Sequence, residues 1–188
     1  MIGFKLKEHL LAERIVLLKR NHVHDDCLWS AIEESRTHLR EYLFWVDKTS
    51  SKDDVIKATD IFSKKWEEDI EWCYNIYDIK THEFLGCIGV HNINFLNQSV
   101  ELGYWLRVSK IKQGYMTEAI KTLEEELFAN GIHRITICCD VFNLNSSNTA
   151  KRAGYNLESI AKEAVYHNTG LHDLATYVKI SPHPISGF

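Results

Sequence analysis

The sequence predicts one α/β domain built on a mixed, mostly antiparallel sheet, and three observations predict it. Between residues 100 and 141 an apolar strand pattern, a short polar turn, a helical pattern and a second strand pattern follow one another, a crossover that favours parallel placement of the two strands. On either side lie strand-like runs joined by hairpin-length turns, which pair antiparallel. The chain of 188 residues has the size of one domain and carries no repeat, low-complexity stretch or linker. Residues 1–188 are therefore read as a single domain with its core at about 10–181.

A first strand is expected from Arg14 to Leu18, where β-branched residues and leucine concentrate. In His22-Val-His24-Asp-Asp26, Asp25 or Asp26 reads as the N-cap of a helix carrying Leu28, Trp29, Ile32 and Leu39, in preference to a set of metal ligands. That helix should end between Leu39 and Phe44. Tyr42, Phe44 and Trp45 beside its end read as core. Ser51 or Asp53 should cap a second helix running through Ile56, Ile61, Phe62 and Trp66 on one apolar face and closed by the acidic Glu67-Glu-Asp69. Trp72–Tyr77 and Phe84–His91 read as strands about a turn at Asp78–Glu83. Residues 92–98 read as a loop or second hairpin connection to Val100–Leu106, so that three antiparallel strands precede the central turn.

Thr117–Ala129 carries Ala119, Ile120, Leu123, Leu127 and Phe128 at helical spacing, with Glu124-Glu-Glu126 on a solvated face and Asn130-Gly131 as a left-handed cap. Ile132–Val141 reads as the returning strand, and Asn143–Gly154 as a short helix stopped by its glycine. Leu157–Tyr166 and Leu171–Ile180 read as two further strands about a turn at His167-Asn-Thr-Gly170, and Ser181-Pro-His-Pro184 ends the order.

Composition narrows the function classes. The five cysteines are an odd number without paired spacing, and Cys138 and Cys139, adjacent in a strand pattern, point to opposite faces. Reduced thiols and a cytoplasmic setting follow as the expectation. The start Met1–Lys7 is too short and mixed for a signal peptide, and no apolar run approaches membrane-spanning length, so no membrane partner is expected. A net charge of −4 gives no general attraction to nucleic acid. His133, His167 and His172 lie on different elements without an intrahelical His-x-x-x-His spacing, so no metal is expected. A homodimer is left open.

The chemistry-bearing stretch is Glu101-Leu-Gly-Tyr-Trp-Leu-Arg-Val-Ser-Lys-Ile-Lys-Gln-Gly-Tyr-Met-Thr-Glu-Ala-Ile120. A turn feeding a helix N-terminus aims unsatisfied backbone N–H groups at one spot, where the peptide dipoles also favour negative charge, so phosphate can bind there. The stretch resembles the coenzyme A loop of the GNAT N-acetyltransferase superfamily, and Gly-Tyr-Met-Thr-Glu-Ala looks most like its ribosomal-protein N-terminal acetyltransferase branch. The family pattern there is Gln/Arg-x-x-Gly-x-Gly/Ala. The corresponding residues are Ile111, Lys112, Gln113, Gly114, Tyr115 and Met116, of which Gly114 alone matches. Lys112 and Met116 are expected to narrow the cradle, Lys112 compensating in part with its charge. A second segment, Asn143-x-x-Ser146 followed by Gly154-Tyr155, resembles the Asn-x-x-Ser…Gly-Phe signature of the same superfamily. With Leu157-Glu158 and Tyr166-His-Asn…His172-Asp173 the resemblance spans nearly the whole chain and is weakest before residue 70.

The resemblance implies the acyl-CoA N-acyltransferase fold, acetyl-CoA as cosubstrate without a metal, and transfer of acetyl to a primary amine. Its branch implies the N-terminal α-amine of a protein such as a ribosomal protein, and the resemblance implies that the segment of Tyr42, Phe44 and Trp45 borders the acceptor groove and presents them to a substrate. It places cofactor contacts at Tyr104, Trp105, Leu106, Ile111, Lys112, Gln113, Gly114, Tyr115, Met116, Thr117 and Asn143. A bulge around Tyr104 to Leu106, assisted by Gly103, would splay the strand for the acetyl and pantetheine arm. Glu101 becomes the candidate base, directly or through a water, with His172 in reserve; Ser146 becomes the candidate acid at the coenzyme A sulfur. A tyrosine often takes the acid role in this superfamily, but the helix from Ser146 to Ala153 has none. Asn143 would meet the pantetheine arm, or serve as a plain turn residue. Two other functions remain open: acetylation of a small amine (polyamine or amino sugar), and a non-catalytic acyl-CoA-binding or sensing domain, which Lys112 and Met116 would suit. A nucleoside-triphosphate site lacks its Gly-x-x-x-x-Gly-Lys-Ser/Thr arrangement.

Overall fold

The structure is a computed structural model and describes residues 6–167 and 169–182. Strands β1 (His9–Leu11), β2 (Ile15–Lys19), β3 (Trp72–Asp78), β4 (Phe84–Asn94), β5 (Ser99–Leu106), β6 (Arg134–Asp140), β7 (Asn156–His167) and β8 (Gly170–Ile180) form one sheet in the order β1-β2-β3-β4-β5-β6-β8-β7. Every adjacent pair is antiparallel except β5 with β6, the two strands of the expected crossover. Helices α1 (Asp25–Leu39), α2 (Trp45–Lys48), α3 (Lys52–Glu67), α4 (Tyr115–Ala129) and α5 (Leu144–Arg152) complete the fold.

The sheet separates two apolar clusters. On β3, Trp72, Tyr74 and Ile76 join the larger one with Ala119, Ile120, Leu123 and Leu127 of α4. Cys73 between them joins the smaller one with Leu28, Ala31 and Ile32 of α1 and Val55 of α3. Alternating side chains of one strand thus cement helices to opposite faces.

Local signals placed most boundaries. Ser51 caps α3 in a capping box with Asp54, each side chain meeting the other's backbone N–H. Gly131 (φ 88°) follows α4 and Gly154 (φ 91°) follows α5, both in the left-handed region that glycine enters without a Cβ penalty.

Several expectations are corrected. The first strand is β1, too short and mixed to show a period, and it pairs with β2, so five strands precede the central turn. Asp25 and Asp26 do not cap α1, whose N-cap is His24 without a side-chain bond. Asp25 is buried and accepts from the Thr59 hydroxyl (2.6 Å), which in turn accepts from Arg20 Nε (3.0 Å), tying the residue that follows β2 to α1 and α3. On α3 the inward face is Val55, Thr59 and Trp66, whereas Ile61 is exposed. Glu124 and Glu126 are buried rather than solvated, the first held by Lys179 Nζ (2.5 Å) and the second by Lys7 Nζ (2.9 Å). β5 pairs with β4 without a register shift from Glu101 to Leu106; the irregularity of that pair lies between His91 and Asn94. Of the terminal Ser181–Pro184 stretch, 183 and 184 lie outside the described residues, as do 1–5 of the opening segment.

Candidate active site

β5 and β6 form a fork. Their parallel pairing covers only Ser99–Glu101 against Arg134–Thr136, yet β5 continues to Leu106 and β6 to Asp140. Past the last pair the facing edges are free of each other, and a cavity of about 790 Å³ opens there. Leu102 to Leu106 line one side and Ile137 to Asp140 the other. A Cβ on Gly86 of β4 would lie 2.2 Å from the Trp105 carbonyl oxygen, so only glycine lets β5 lean across β4 at this point. The fork therefore arises from where strand pairing stops, and not from a bulge in β5.

At one end of the cavity stands the turn before α4. Lys112 (φ 61°) and Gly114 (φ 84°) both take the left-handed conformation, and Gly114 is the N-cap of α4 without a side-chain cap. The first N–H groups of α4 are thus left for a ligand. Ile111, Lys112, Gly114, Met116 and Thr117 line the cavity; Gln113 and Tyr115 do not. Gln113 and Tyr115 brace the turn from behind. The Gln113 carbonyl accepts from Arg14 Nη1 (3.1 Å), and the Tyr115 hydroxyl donates to Asp78 Oδ2 (3.0 Å). Arg14 also bonds Glu118 through its backbone N–H (2.7 Å) and Nε (2.8 Å), fastening the first turn of α4 to the segment before β2. Met116, expected to obstruct the turn, is buried in the larger cluster as part of the cavity wall, while Lys112 is exposed.

Where α5 begins, the Asn143 side chain accepts from Ser146 N (3.0 Å), the N-cap bond of the helix. This orients Ser146, whose hydroxyl lies 3.1 Å from the Tyr104 hydroxyl of β5. A tyrosine hydroxyl thus reaches Ser146 from the opposite limb of the fork. Burial pushes the Tyr104 phenol far up, so it stays protonated at neutral pH. Asn143, Ser146 and Tyr104 all line the cavity, as does Arg152.

Glu101 does not line the cavity. It sits where β5 and β6 are still paired, opposite Thr136, and its carboxylate accepts from Asn92 Nδ2 (2.9 Å) and lies 3.4 Å from His91 Nε2. The bond to His91 holds its carboxyl below the usual range, against the opposing effect of burial. Cys138 beside it faces the cavity, its thiol pushed up to about 11 by burial.

A second set of titratable groups meets at the wall formed by the ends of β6 and β7. The buried Asp140 Oδ2 lies 2.5 Å from His172 Nδ1 and 3.0 Å from His167 Nε2. Asp140 and His167 line the cavity. Histidines assigned to separate elements are thus brought together by the β7–β8 hairpin, a contact that intrahelical spacing cannot reveal. Tyr42 lines the same wall, its ring edge-on to His167 at 5.8 Å, with Phe44 stacked on the outer side at 5.2 Å. Trp45 turns away to Trp105.

This architecture has close counterparts among known proteins. The acetyltransferase (GNAT) domain family matches residues 16–156. The ribosomal-protein-serine acetyltransferase of Escherichia coli (strain K12) is 30% identical over 180 residues, which cover 95% of this chain and 94% of that protein. The structure of the ribosomal L7/L12 α-N-protein acetyltransferase RimL in complex with coenzyme A superimposes with a TM-score of 0.88 at 25% identity, covering 92% of this chain and 98% of that one. An acetyltransferase from Salmonella typhimurium that modifies the N-terminal serine of the 50S subunit protein L7/L12 gives a TM-score of 0.82 at 25% identity, over 90% and 96% of the two chains. With the family's match covering most of the sequence and the forked sheet agreeing with its solved structures, the chain belongs to the GNAT acetyltransferases.

Proposed function

We propose that the chain transfers the acetyl group of acetyl-CoA to the N-terminal α-amine of a protein, with a ribosomal protein as the substrate class. The observation that carries the proposal is the fork: a parallel pair that parts after Glu101 and Thr136, with an uncapped helix N-terminus at one end and a hydroxyl pair at its flank. The residues present fit acetyl-CoA. The turn at Lys112–Gly114 and the first N–H groups of α4 suit a pyrophosphate, and Lys112 and Arg152 on the cavity wall add cationic charge. The free edge of β5 from Leu102 to Leu106 offers backbone groups to the amide-bearing pantetheine arm, and its N–H groups can stabilise the oxyanion formed at the thioester carbonyl. Asn143 acts by capping α5, which fixes Ser146.

In the reaction the amine nitrogen attacks the thioester carbonyl, the C–N bond forms and the C–S bond breaks. The departing thiolate accepts a hydrogen bond from the Ser146–Tyr104 hydroxyl pair, whose phenol burial keeps protonated, and is neutralised by the proton that the amine nitrogen sheds, relayed through that pair. The acceptor class rests on the named relatives, the E. coli protein foremost. The absence of any paired cysteine among the described residues supports a reducing, cytoplasmic setting. The experiment is turnover of acetyl-CoA with a panel of N-terminal peptides, polyamines and amino sugars. Acetylation of peptide α-amines supports the proposal. Turnover of small amines alone replaces its acceptor class, and coenzyme A binding without turnover of any amine would make the domain a sensor.

A further inference from the structure

We propose that Asp140, His167 and His172 form a binding site for a divalent transition-metal ion of the Zn²⁺ type, at the wall where β6, β7 and β8 meet. The site stands apart from the acetyl-transfer reading and departs from the metal-free expectation, which looked for ligand spacing within helices; the sheet assembles this set instead.

β6 ends at Asp140, β7 ends at His167, and His172 follows the hairpin turn on β8. One donor atom from each lies within 4.8 Å of the others. Asp140 Oδ2 is 2.5 Å from His172 Nδ1 and 3.0 Å from His167 Nε2. Tetrahedral Zn²⁺ with nitrogen and oxygen ligands at about 2.0–2.1 Å holds its donors about 3.3 Å apart, so both spacings are within about 1 Å of a coordination shell. Two imidazoles with a carboxylate suit Zn²⁺ better than Mg²⁺ or Ca²⁺, which take oxygen ligands.

Two observations ask for a cation within the set. His167 is 6% exposed, and its Nε2 has no hydrogen-bond partner among the described residues although Asp140 Oδ2 is 3.0 Å away. The in-plane direction of Nε2 therefore runs past that oxygen and not along the line to it, as for two ligands that share one ion. Asp140 is 4% exposed, and its ion-pair partners among the described residues are the two imidazoles, with no lysine or arginine. A buried carboxylate without a permanent cation beside it is costly unless a metal compensates its charge.

The surroundings orient the ligands. Phe142 N donates to Asp140 Oδ1 (2.7 Å), which leaves Oδ2 for the ion. The Thr169 hydroxyl lies 2.8 Å from His172 Nε2; an N–H donated there leaves Nδ1 with its lone pair, the tautomer a ligand needs. Phe44 stacked on His167 and Phe142 edge-on to His172, each at 5.2 Å, confine the two rings. The His172 side chain, 20% exposed, gives the ion its way in from solvent. Once bound, the ion ties the end of β6 to the β7–β8 hairpin.

The test is calorimetric titration of the metal-stripped full chain with Zn²⁺ at one fixed pH, alongside thermal melts without and with Zn²⁺. Wild type should bind one Zn²⁺ and gain several degrees in Tm. His172→Gln and Asp140→Asn should each weaken binding by about 100-fold or more and lose the gain in Tm. Thr169→Val, which removes only the orienting hydroxyl, should weaken it by about 10-fold. His22→Ala removes an exposed imidazole that lies between Asp25 and Asp60, and should leave the affinity unchanged. Melts of the metal-free variants report whether each is folded. Should the ligand variants fail to fold, Co²⁺ added to wild type still decides: the intense visible absorption of a four-coordinate ion is expected. A folded wild type that binds no Zn²⁺ overturns the proposal, as does a weak octahedral Co²⁺ spectrum. Undiminished binding by folded His172→Gln overturns it too, and so does loss of binding in His22→Ala. None of these readouts involves acetyl-CoA, so failure here leaves the acetyl-transfer reading to its own amine panel.

Discussion

The hydroxyls of Tyr104 and Ser146 lie 3.1 Å apart, one carried by β5 and the other by the first turn of α5. Because the two elements flank the fork, the contact spans the place where the thioester sulfur is proposed to lie. Ser146→Ala and Tyr104→Phe should each lower kcat by about 10-fold or more while acetyl-CoA affinity changes little. If the two hydroxyls act as one donor, the double variant loses no more than the worse single one. Initial rates and calorimetry on the four chains check this; a fully additive loss would show independent roles.

The turn before α4 separates two substitutions that a reading of the motif would treat alike. Lys112 adopts φ 61°, where a Cβ is costly, so Lys112→Gly should raise the stability of the fold by about 1 kcal/mol. Met116 is a core residue, so Met116→Ala should lower it by about 2–5 kcal/mol instead of opening the cradle. Chemical denaturation measures both, and acetyl-CoA titration of Lys112→Gly shows whether the lost charge or the freed space dominates.

Glu101 is a stability residue in this account. Its carboxyl is held below the ordinary value of 4.5, so the group favours the folded state fully above that value and loses the contribution as the pH falls through its lower folded value. Glu101→Gln should therefore leave turnover at neutral pH within about threefold and flatten the decline of Tm on acidification below about pH 4.5. A large loss of kcat at pH 7.5 would return Glu101 to the catalytic machinery.

The Glu124–Lys179 pair ties α4 to β8, with Lys179 Nζ also donating to the Ala153 carbonyl (3.1 Å) at the end of α5. Removing one partner strands a buried charge, so Lys179→Met should cost about 3–5 kcal/mol, whereas replacing both with apolar residues should cost less. Denaturant melts of the single and double variants decide it.

At Gly86 an added Cβ meets backbone and not a flexible side chain. Gly86→Ala should lower Tm by several degrees and weaken acetyl-CoA binding, since β5 must shift at the fork; thermal melts and calorimetry would both register it.

What the sequence disclosed follows the range of the interactions. The capping box at Ser51, the stops at Gly131 and Gly154 and the parallel crossover depend on residues close in the chain or on pattern, and all were legible. The buried states of Asp25, Glu124 and Glu126 depend on Thr59, Lys179 and Lys7, far away in sequence, so polar residue type pointed the wrong way. Motif spacing located Gly114 and Ser146, but Tyr104 as the partner of Ser146 and the meeting of Asp140 with His167 and His172 come from the sheet order. Ladder hydrogen bonds of β7 with β8 and of β8 with β6 make those meetings, and no local signal encodes them.

The central claim is tested most directly by incubating the full chain with acetyl-CoA and peptides bearing a free α-amine together with an internal lysine, then locating the added 42-dalton acetyl group (about that mass for replacing one amine hydrogen) by tandem mass spectrometry. The account predicts stoichiometric release of coenzyme A and acetylation confined to the α-amine. Modification of the lysine alone, or no modification while acetyl-CoA is bound, would contradict it.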